Sequence, residues 1–249
     1  MSLTIFQTDA MTPPDSGAPG WTPSADYRRV VDRTEHGATA VDGCLNKYVG
    51  PRAAGPVLYP GYVEVCYLVQ GDHTQLLASG ELIDVPGGTF AIRYDGATSY
   101  VITPESLTSV CFFSPGRPAD WPGRGAATSE TVKGDPVYID PKKLDAAPEP
   151  ETVTGTARTR VVLSYSELLP VNVRWTEMDA GARIGLAASA EDRILYLVEG
   201  SVRLTDAAGE HGADAGAFVQ WPAGEALTIA AEGAATYFTV GSPDGVASA

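Results

Sequence analysis

The 249-residue sequence is sparing with the side chains that do chemistry on their own. Its three histidines are His36 in "RTEHGA", His73 in "GDHT" and His211 in "GEHG". Each falls in a hairpin-like or turn-like segment and reads as a solvated surface histidine. The three cysteines, Cys44, Cys66 and Cys111, show no C-x-x-C spacing. Their odd number reads as reduced thiols of a cytoplasmic protein. Cys66 and Cys111 lie in apolar strand-like runs, where packing is the default role. No histidine partner is visible in the sequence to make Cys66 a thiolate nucleophile. There is no Walker-type phosphate loop, no G-x-S-x-G elbow and no dinucleotide fingerprint. The chemistry left open is proton transfer by carboxylates and phenols that the fold must bring together.

Composition narrows the partners. A formal net charge of -14 argues against nucleic acid, whose phosphates need clustered Lys and Arg, and against an anionic membrane surface. Acidity here serves solubility. The start, "MSLTIFQTDAMTPPDSG", has no basic region followed by an apolar run. No stretch reaches the roughly 18 apolar residues of a membrane span.

The elements that must position any site are short strands. Glycine and proline (27 and 19 residues) are spread along the chain, as expected for strands joined by tight turns. "EVCYLVQG" at 64–71 and "RILYLVEG" at 193–200 are apolar runs ending in Gly, offset by 129. "ASGE" at 78–81 and "AAGE" at 207–210 keep that offset, and Gly87 maps onto Gly216. We read two copies of one β unit. Residues 1–20 read as a loose arm, with Trp21 anchoring it to a core surface. The first copy spans 21–115, a Pro/Gly-rich connection with a short strand at "PVYID" spans 116–156, and the second copy spans 157–249. Helical periodicity is confined to a turn or two at "SYSELL" and "PKKLDAA". The fold class is all-β, two small barrels or sandwiches in one chain.

Each copy resembles a cupin. In the second, "DAGARIGLAASAEDRILYLVEGSVRL" looks like the first cupin motif and "GAFVQWPAGEAL" like the second. The first copy resembles ectoine synthase, a ring-closing cupin that eliminates water, through "YVEVCYLVQG", "IDVPGGTFAI" and "LTSVCFFSPGRP". The resemblance implies a bicupin with two jelly-roll-like barrels. In cupins the first motif supplies two histidines and a glutamate to a metal, and the second motif a histidine. Here the second copy has "LAASA" in the histidine region, Arg193 at the glutamate position and Leu227 at the last position. The first has "LYPGY" without histidine, and Glu64 at the glutamate position. The further ligand positions of ectoine synthase fall on Phe90 and Thr98, and the 129 shift sets Thr98 opposite Leu227. One carboxylate cannot hold a catalytic metal, so no metal and no cofactor are expected.

Strand alternation then nominates a site. With Glu64 inward, Tyr62, Cys66 and Leu68 are inward too. By family position Phe90 and Ile92 share that face, and Thr98 and Tyr100 return to it beyond the turn. Asn46 and Tyr48 on "CLNKYV" are further candidates. Glu64 among phenols and apolar groups is expected to lose hydration, raising its pKa and suiting it to acid–base catalysis. Arg193 needs a carboxylate such as Glu177 or Glu191. Trp175 and Trp221 are core or lid, and the second barrel is expected to be apolar and mainly structural. The leading expectation is a metal-independent cyclase, lyase or isomerase with Glu64 as general acid/base, acting on a small, largely apolar metabolite such as a polyketide. The alternatives are a non-catalytic small-molecule-binding cupin and a metal enzyme with atypical ligands. A monomer and a homodimer are both compatible with the sequence.

Overall fold

The computed structural model describes residues 3–8, 25–37, 40–48, 51–118, 131–148 and 152–243. Trp21 lies outside these. The chain divides into two units. The N-terminal unit takes residues 12–37 and 42–141, and the C-terminal unit residues 1–11, 38–41 and 142–247. Strand β1 (Thr4–Gln7) opens the described chain and belongs to the C-terminal unit. The N-terminal unit holds β2 (Ala25–Val31), β3 (Asp42–Tyr48), β4 (Arg52–Val57), β5 (Val63–Gln70), β6 (His73–Leu77), β7 (Leu82–Val85), β8 (Phe90–Arg93), β9 (Ser99–Thr103), β10 (Leu107–Ser114) and β11 (Val137–Ile139). The C-terminal unit adds β12 (Thr152–Thr154), β13 (Ala157–Leu163), β14 (Asn172–Met178), β15 (Arg183–Leu186), β16 (Glu191–Glu199), β17 (Ser201–Asp206), β18 (Gly209–Asp214), β19 (Ala217–Trp221), β20 (Leu227–Ala231) and β21 (Ala235–Pro243). The helical elements that lie wholly among the described residues are one turn at Arg33–His36 and a 3-10 turn at Pro141–Lys143. The all-β expectation holds.

Each unit is two antiparallel sheets. In the N-terminal unit the orders are β11-β8-β5-β10-β3-β2 and β4-β9-β6-β7. In the C-terminal unit they are β1-β19-β16-β21-β14-β13 and β12-β15-β20-β17-β18. The six-stranded layouts correspond strand for strand, with β11 beside β8 as β1 lies beside β19, and the smaller sheets correspond except for β12, which the C-terminal unit adds. Three segments depart from the sequence reading, one of them β12, which lies in the expected connection but pairs with β15 of the C-terminal unit. Thr4–Gln7 is a paired strand, not part of a loose arm. Val137–Ile139, expected as a short strand within the connection, pairs with β8 inside the N-terminal unit.

Close backbone approach fixes the glycine that ends each apolar run. Gly71 and Gly200 have φ of 86° and 82°, and a Cβ there would meet Ser106 O at 2.4 Å and Ala234 O at 2.3 Å. Only glycine fits both the positive φ and the contact.

The constant offset of 129 does not survive the next turn. Tyr67 pairs with Phe90 as Tyr196 pairs with Phe218, which is an offset of 129 on one strand and 128 on the other. The extra residue lies between β6 and β7. There Leu76 pairs with Leu82, whereas Thr205 pairs with Glu210 around the tighter Ala207–Ala208 turn. From Leu82 onward the shift is 128. Gly88, not Gly87, is the counterpart of Gly216: their φ values are 83° and 89°, and both donate N–H to the matched Leu68 and Leu197 carbonyls. Ser99, not Thr98, stands opposite Leu227. One residue of slip exchanges the two faces of a strand, and every inward assignment beyond that turn changes with it.

The C-terminal barrel is filled by Ile184, Leu195, Leu197, Val202, Leu204, Val219, Trp221, Leu227, Ile229 and Tyr237. The N-terminal barrel has a thinner apolar lining of Val57, Tyr59, Cys66, Ala91, Cys111 and Phe113, with Leu68, Val85 and Leu107 beside it.

Candidate functional site

In the N-terminal barrel, β5 sends Glu64, Cys66 and Leu68 into one cavity, as strand alternation requires. Tyr48 lines it too. Asn46 is buried nearby and donates Nδ2–H to Cys111 Sγ at 3.2 Å. Tyr62 packs against the same cluster. The other nominated residues lie elsewhere. Phe90 packs against Tyr67 with ring centroids 4.8 Å apart, and Ile92 lies opposite Val65, so both face away from Glu64. Thr98 is buried, but its hydroxyl donates to Val57 O at 2.8 Å. Tyr100 is 46% exposed. The longer β6–β7 turn accounts for these misplacements.

The residues that replace them are polar. Arg93 stands opposite Glu64 and donates from Nη1 to Glu64 Oε2 at 2.6 Å. Their side chains are 6% and 4% exposed. Arg93 Nη2 reaches Gln75 Oε1 at 3.4 Å, and that oxygen also accepts from Ser99 and Tyr138 hydroxyls, each at 2.5 Å. Gln75 Nε2 donates to His73 Nε2 at 2.5 Å, which leaves the ring proton on Nδ1. His73, expected on the surface, is buried. By the corrected correspondence, His73, Gln75, Arg93 and Ser99 occupy the positions of Val202, Leu204, Trp221 and Leu227, all core residues of the C-terminal barrel. The first copy thus carries a buried polar network where the second carries hydrocarbon.

The network sets the charges. Burial alone would lower the pKa of Arg93, but the negative charge of Glu64 outweighs it and raises the value, so the guanidinium stays protonated. Burial and the neighbouring Arg93 cation lower His73 to about 4, so the ring is neutral near pH 7. Burial pushes the Tyr138 phenol up to about 12 despite Arg93. Glu64 therefore faces a fixed cation, not the apolar wall expected from sequence.

Four buried polar atoms have no hydrogen-bond partner among the described residues: Arg52 Nη1, Arg93 Nε, His73 Nδ1 and Asn46 Oδ1. The first three belong to residues lining the Glu64 cavity, whose volume is about 50 Å³. Buried donors are paired as a rule, and three unpaired ones around one cavity point to an acceptor-rich guest.

The C-terminal barrel opens into a larger cavity of about 500 Å³, where the sequence led us to expect an apolar interior. It is lined by Asn172, Arg174, Glu191, Arg193, Trp221 and Thr239, among others. Arg193 donates Nε–H to Glu191 Oε2 at 3.3 Å and from Nη2 to Ser189 Oγ at 2.5 Å, and lies 4.5 Å over the Trp221 ring. Glu191 is thus its expected partner, while Glu177 pairs with Arg160. Trp175 is core, stacked with Phe238. Leu227 is buried. Ala187 and Ala188 do not line this cavity.

Full-length structural likeness defines the class. The fold is that of the bicupins. A protein described as glyoxylate-induced from Pseudomonas aeruginosa matches with a TM-score of 0.74 at 16% identity, over 96% of this chain and 88% of that one. The Ylba protein of E. coli matches with a TM-score of 0.72 at 11% identity, over 96% and 90%. Oxalate decarboxylase OxdC of Bacillus subtilis matches with a TM-score of 0.68 at 10% identity, over 98% and 78%. No protein-family model matches the sequence, and no curated protein matches it. At these identities the likeness establishes the fold, one shared by enzymes and by proteins of unassigned activity. The narrower resemblance to ectoine synthase finds no support among these matches. No helix among the described residues is long and apolar enough to cross a membrane.

The cupin resemblance implies a metal on Glu64, and the donors present can be tested for it. Glu64, Cys66 and Cys111 bring one donor atom each within 4.8 Å of one another. This set does not fit the family's metal. The Glu64 carboxylate is already bonded to the Arg93 guanidinium, a fixed cation that repels a second. Burial, with the bonds to Cys44 and Cys66, pushes the Cys111 thiol well above its usual range, so the thiolate a metal needs is disfavoured. A second trio, Asp32, Glu35 and His36, is a helix cap: Asp32 Oδ1 accepts from Glu35 N at 2.6 Å, and His36 Nδ1 accepts from Asp32 N.

Proposed function

We propose that the chain is a metal-independent bicupin enzyme that takes a compact carboxylic acid into its N-terminal barrel and moves a proton with Glu64. The observation that carries this reading is the trio of donors without a hydrogen-bond partner among the described residues, Arg52 Nη1, Arg93 Nε and His73 Nδ1, on residues lining the Glu64 cavity. A carboxylate offers acceptors to all three. About 50 Å³ admits a group of roughly three or four heavy atoms, and with these donors around it the small, largely apolar metabolite expected from sequence gives way to a compact acid. Charge agrees. Arg52 and Arg93 against Glu64, with His73 neutral, leave one positive charge for a monovalent anion to match. Glu64 Oε2 is held by Arg93, while Oε1 has no hydrogen-bond partner among the described residues. That oxygen is the atom that would take and return a proton. Such a transfer needs no redox partner. One fold neighbour, oxalate decarboxylase, is named for a small dicarboxylate.

The test is a panel of small carboxylic acids incubated with the protein in D2O and followed by proton NMR. The wild type should convert at least one acid or exchange its carbon-bound hydrogens. Glu64→Gln should be slower by about 10²–10⁴-fold, the usual contribution of general acid–base catalysis. Wild-type rates in the Gln variant would remove Glu64 from the chemistry. Binding without conversion would favour a module that only captures the acid.

A further inference from the structure

We infer that the C-terminal barrel is a second ligand site, for an organic anion that joins an apolar or aromatic body to a carboxylate, with Arg174 as the anion's partner. Three observations converge. The cavity, at about 500 Å³, lies in the size range of small-molecule pockets, roughly 300–1,000 Å³. Its charged lining is unbalanced: Arg193 is matched by Glu191, while Arg174, half-buried on β14, has no hydrogen bond or ion pair among the described residues. Its walls are amphipathic. Ile184, Leu186 and the Trp221 ring supply apolar surface, and Thr159, Thr176 and Thr239 supply hydroxyls.

Strand geometry places Arg174 to serve. On β14, Asn172, Arg174 and Thr176 alternate onto the cavity face, and Arg174 lies opposite Thr239 of β21. Asn172 is occupied, donating to Glu191 and accepting from Tyr165 N at 2.8 Å. Thr159 and Thr176 hydroxyls bond each other at 3.1 Å. Glu191 is bracketed by Asn172 and Arg193 and cannot swing to Arg174 without breaking both bonds. The neighbours of Arg174 are thus committed, and its guanidinium is the cavity's one uncompensated charge among the described residues. A planar carboxylate matches that fork in two bonds, and a flat apolar body would lie toward Trp221. This site differs in ligand size and in residues from the acid site around Glu64.

The experiment compares benzoate with its neutral isostere benzamide on the full chain, by calorimetry and tryptophan fluorescence. Benzoate should bind about 10-fold more tightly, because charge-assisted hydrogen bonds are roughly twice as strong as neutral ones and the carboxylate makes two of them. Arg174→Gln should remove that preference, and Arg174→Lys should keep part of it. Formate, small enough for the Glu64 cavity, should bind the Gln variant as it binds the wild type. The wild-type comparison needs no variant to fold. Equal binding of benzoate and benzamide, absence of saturable benzoate binding, or full benzoate affinity in a folded Arg174→Gln variant would overturn the inference.

Discussion

Replacing Glu64 by Gln keeps the shape of the side chain and removes its charge. Arg93 Nη1 lies 2.6 Å from Glu64 Oε2, both side chains are nearly sealed from water, and the other neighbours of the guanidinium, Gln75 and His73, are neutral. The variant therefore leaves a buried cation without a counter-charge. Removing one partner of such a pair costs about 3–5 kcal/mol. For a protein of this size each kcal/mol moves the melting point by about 2–4 °C, so the transition of the N-terminal unit should fall by roughly 6–20 °C. Arg93→Met should fall by a similar amount, since it strands the carboxylate. The double variant Glu64→Met/Arg93→Met buries no charge and should recover most of the loss, giving a coupling energy of several kcal/mol in a double-mutant cycle. Differential scanning calorimetry reads all four proteins. Single variants melting within about 1 °C of wild type, or a double variant showing the sum of the single losses, would refute the buried ion pair.

Two further expectations arise from the same network. The folded pKa of His73, about 4, lies below its unfolded value of about 6.5, so the unfolded chain binds the extra proton. The contribution of His73 is complete above pH 6.5 and is lost as pH falls toward 4, up to about 3 kcal/mol. His73→Gln should flatten the difference between stabilities measured at pH 7 and pH 4.5, and a His73 imidazole titrating near 6.5 by NMR, assigned by its loss in the Gln variant, would refute it. Because the donors around Glu64 do not fit the family's metal, elemental analysis of the purified protein should find no stoichiometric transition metal, and chelator should leave melting unchanged. One equivalent of iron, zinc or manganese per chain would contradict this.

The doubled architecture was legible because its signals are local. Apolar runs closed by Gly71 and Gly200 repeat, and the backbone contact each glycine makes explains why the residue type recurs. The inward face of β5 was legible for the same reason, since alternation within one strand needs no alignment. The remainder of the site depended on counting across a turn. "ASGE" and "AAGE" look aligned, but one additional residue there turns Phe90, Ile92 and Tyr100 away and brings Ala91, Arg93 and Ser99 inward. His73 and Gln75 were hidden differently. "GDHTQ" is polar enough to read as a turn, and only the pairing of β6 with β9 shows that these side chains stand where Val202 and Leu204 stand in the other copy. Arg174 was invisible because an arginine in "NVRWTEM" reads as the solvent face of an alternating strand, and no local pattern announces a cavity.

Strand β1 has a consequence for how the chain can be divided. Thr4–Gln7 runs along the outer edge of β19, residues Ala217–Gln220, with Leu3 N bonded to Asp206 and the Thr8 hydroxyl to Gly216 O. Without it, β19 becomes a sheet margin carrying Ala217, Phe218 and Val219 with open backbone groups, the kind of edge that recruits any extended peptide. The most complementary peptide available is the same segment of another molecule. A displaced Thr4–Gln7 would thus favour strand exchange between copies. A fragment cut at residue 142 to isolate the second barrel would lack its own sealing strand and arrive adhesive.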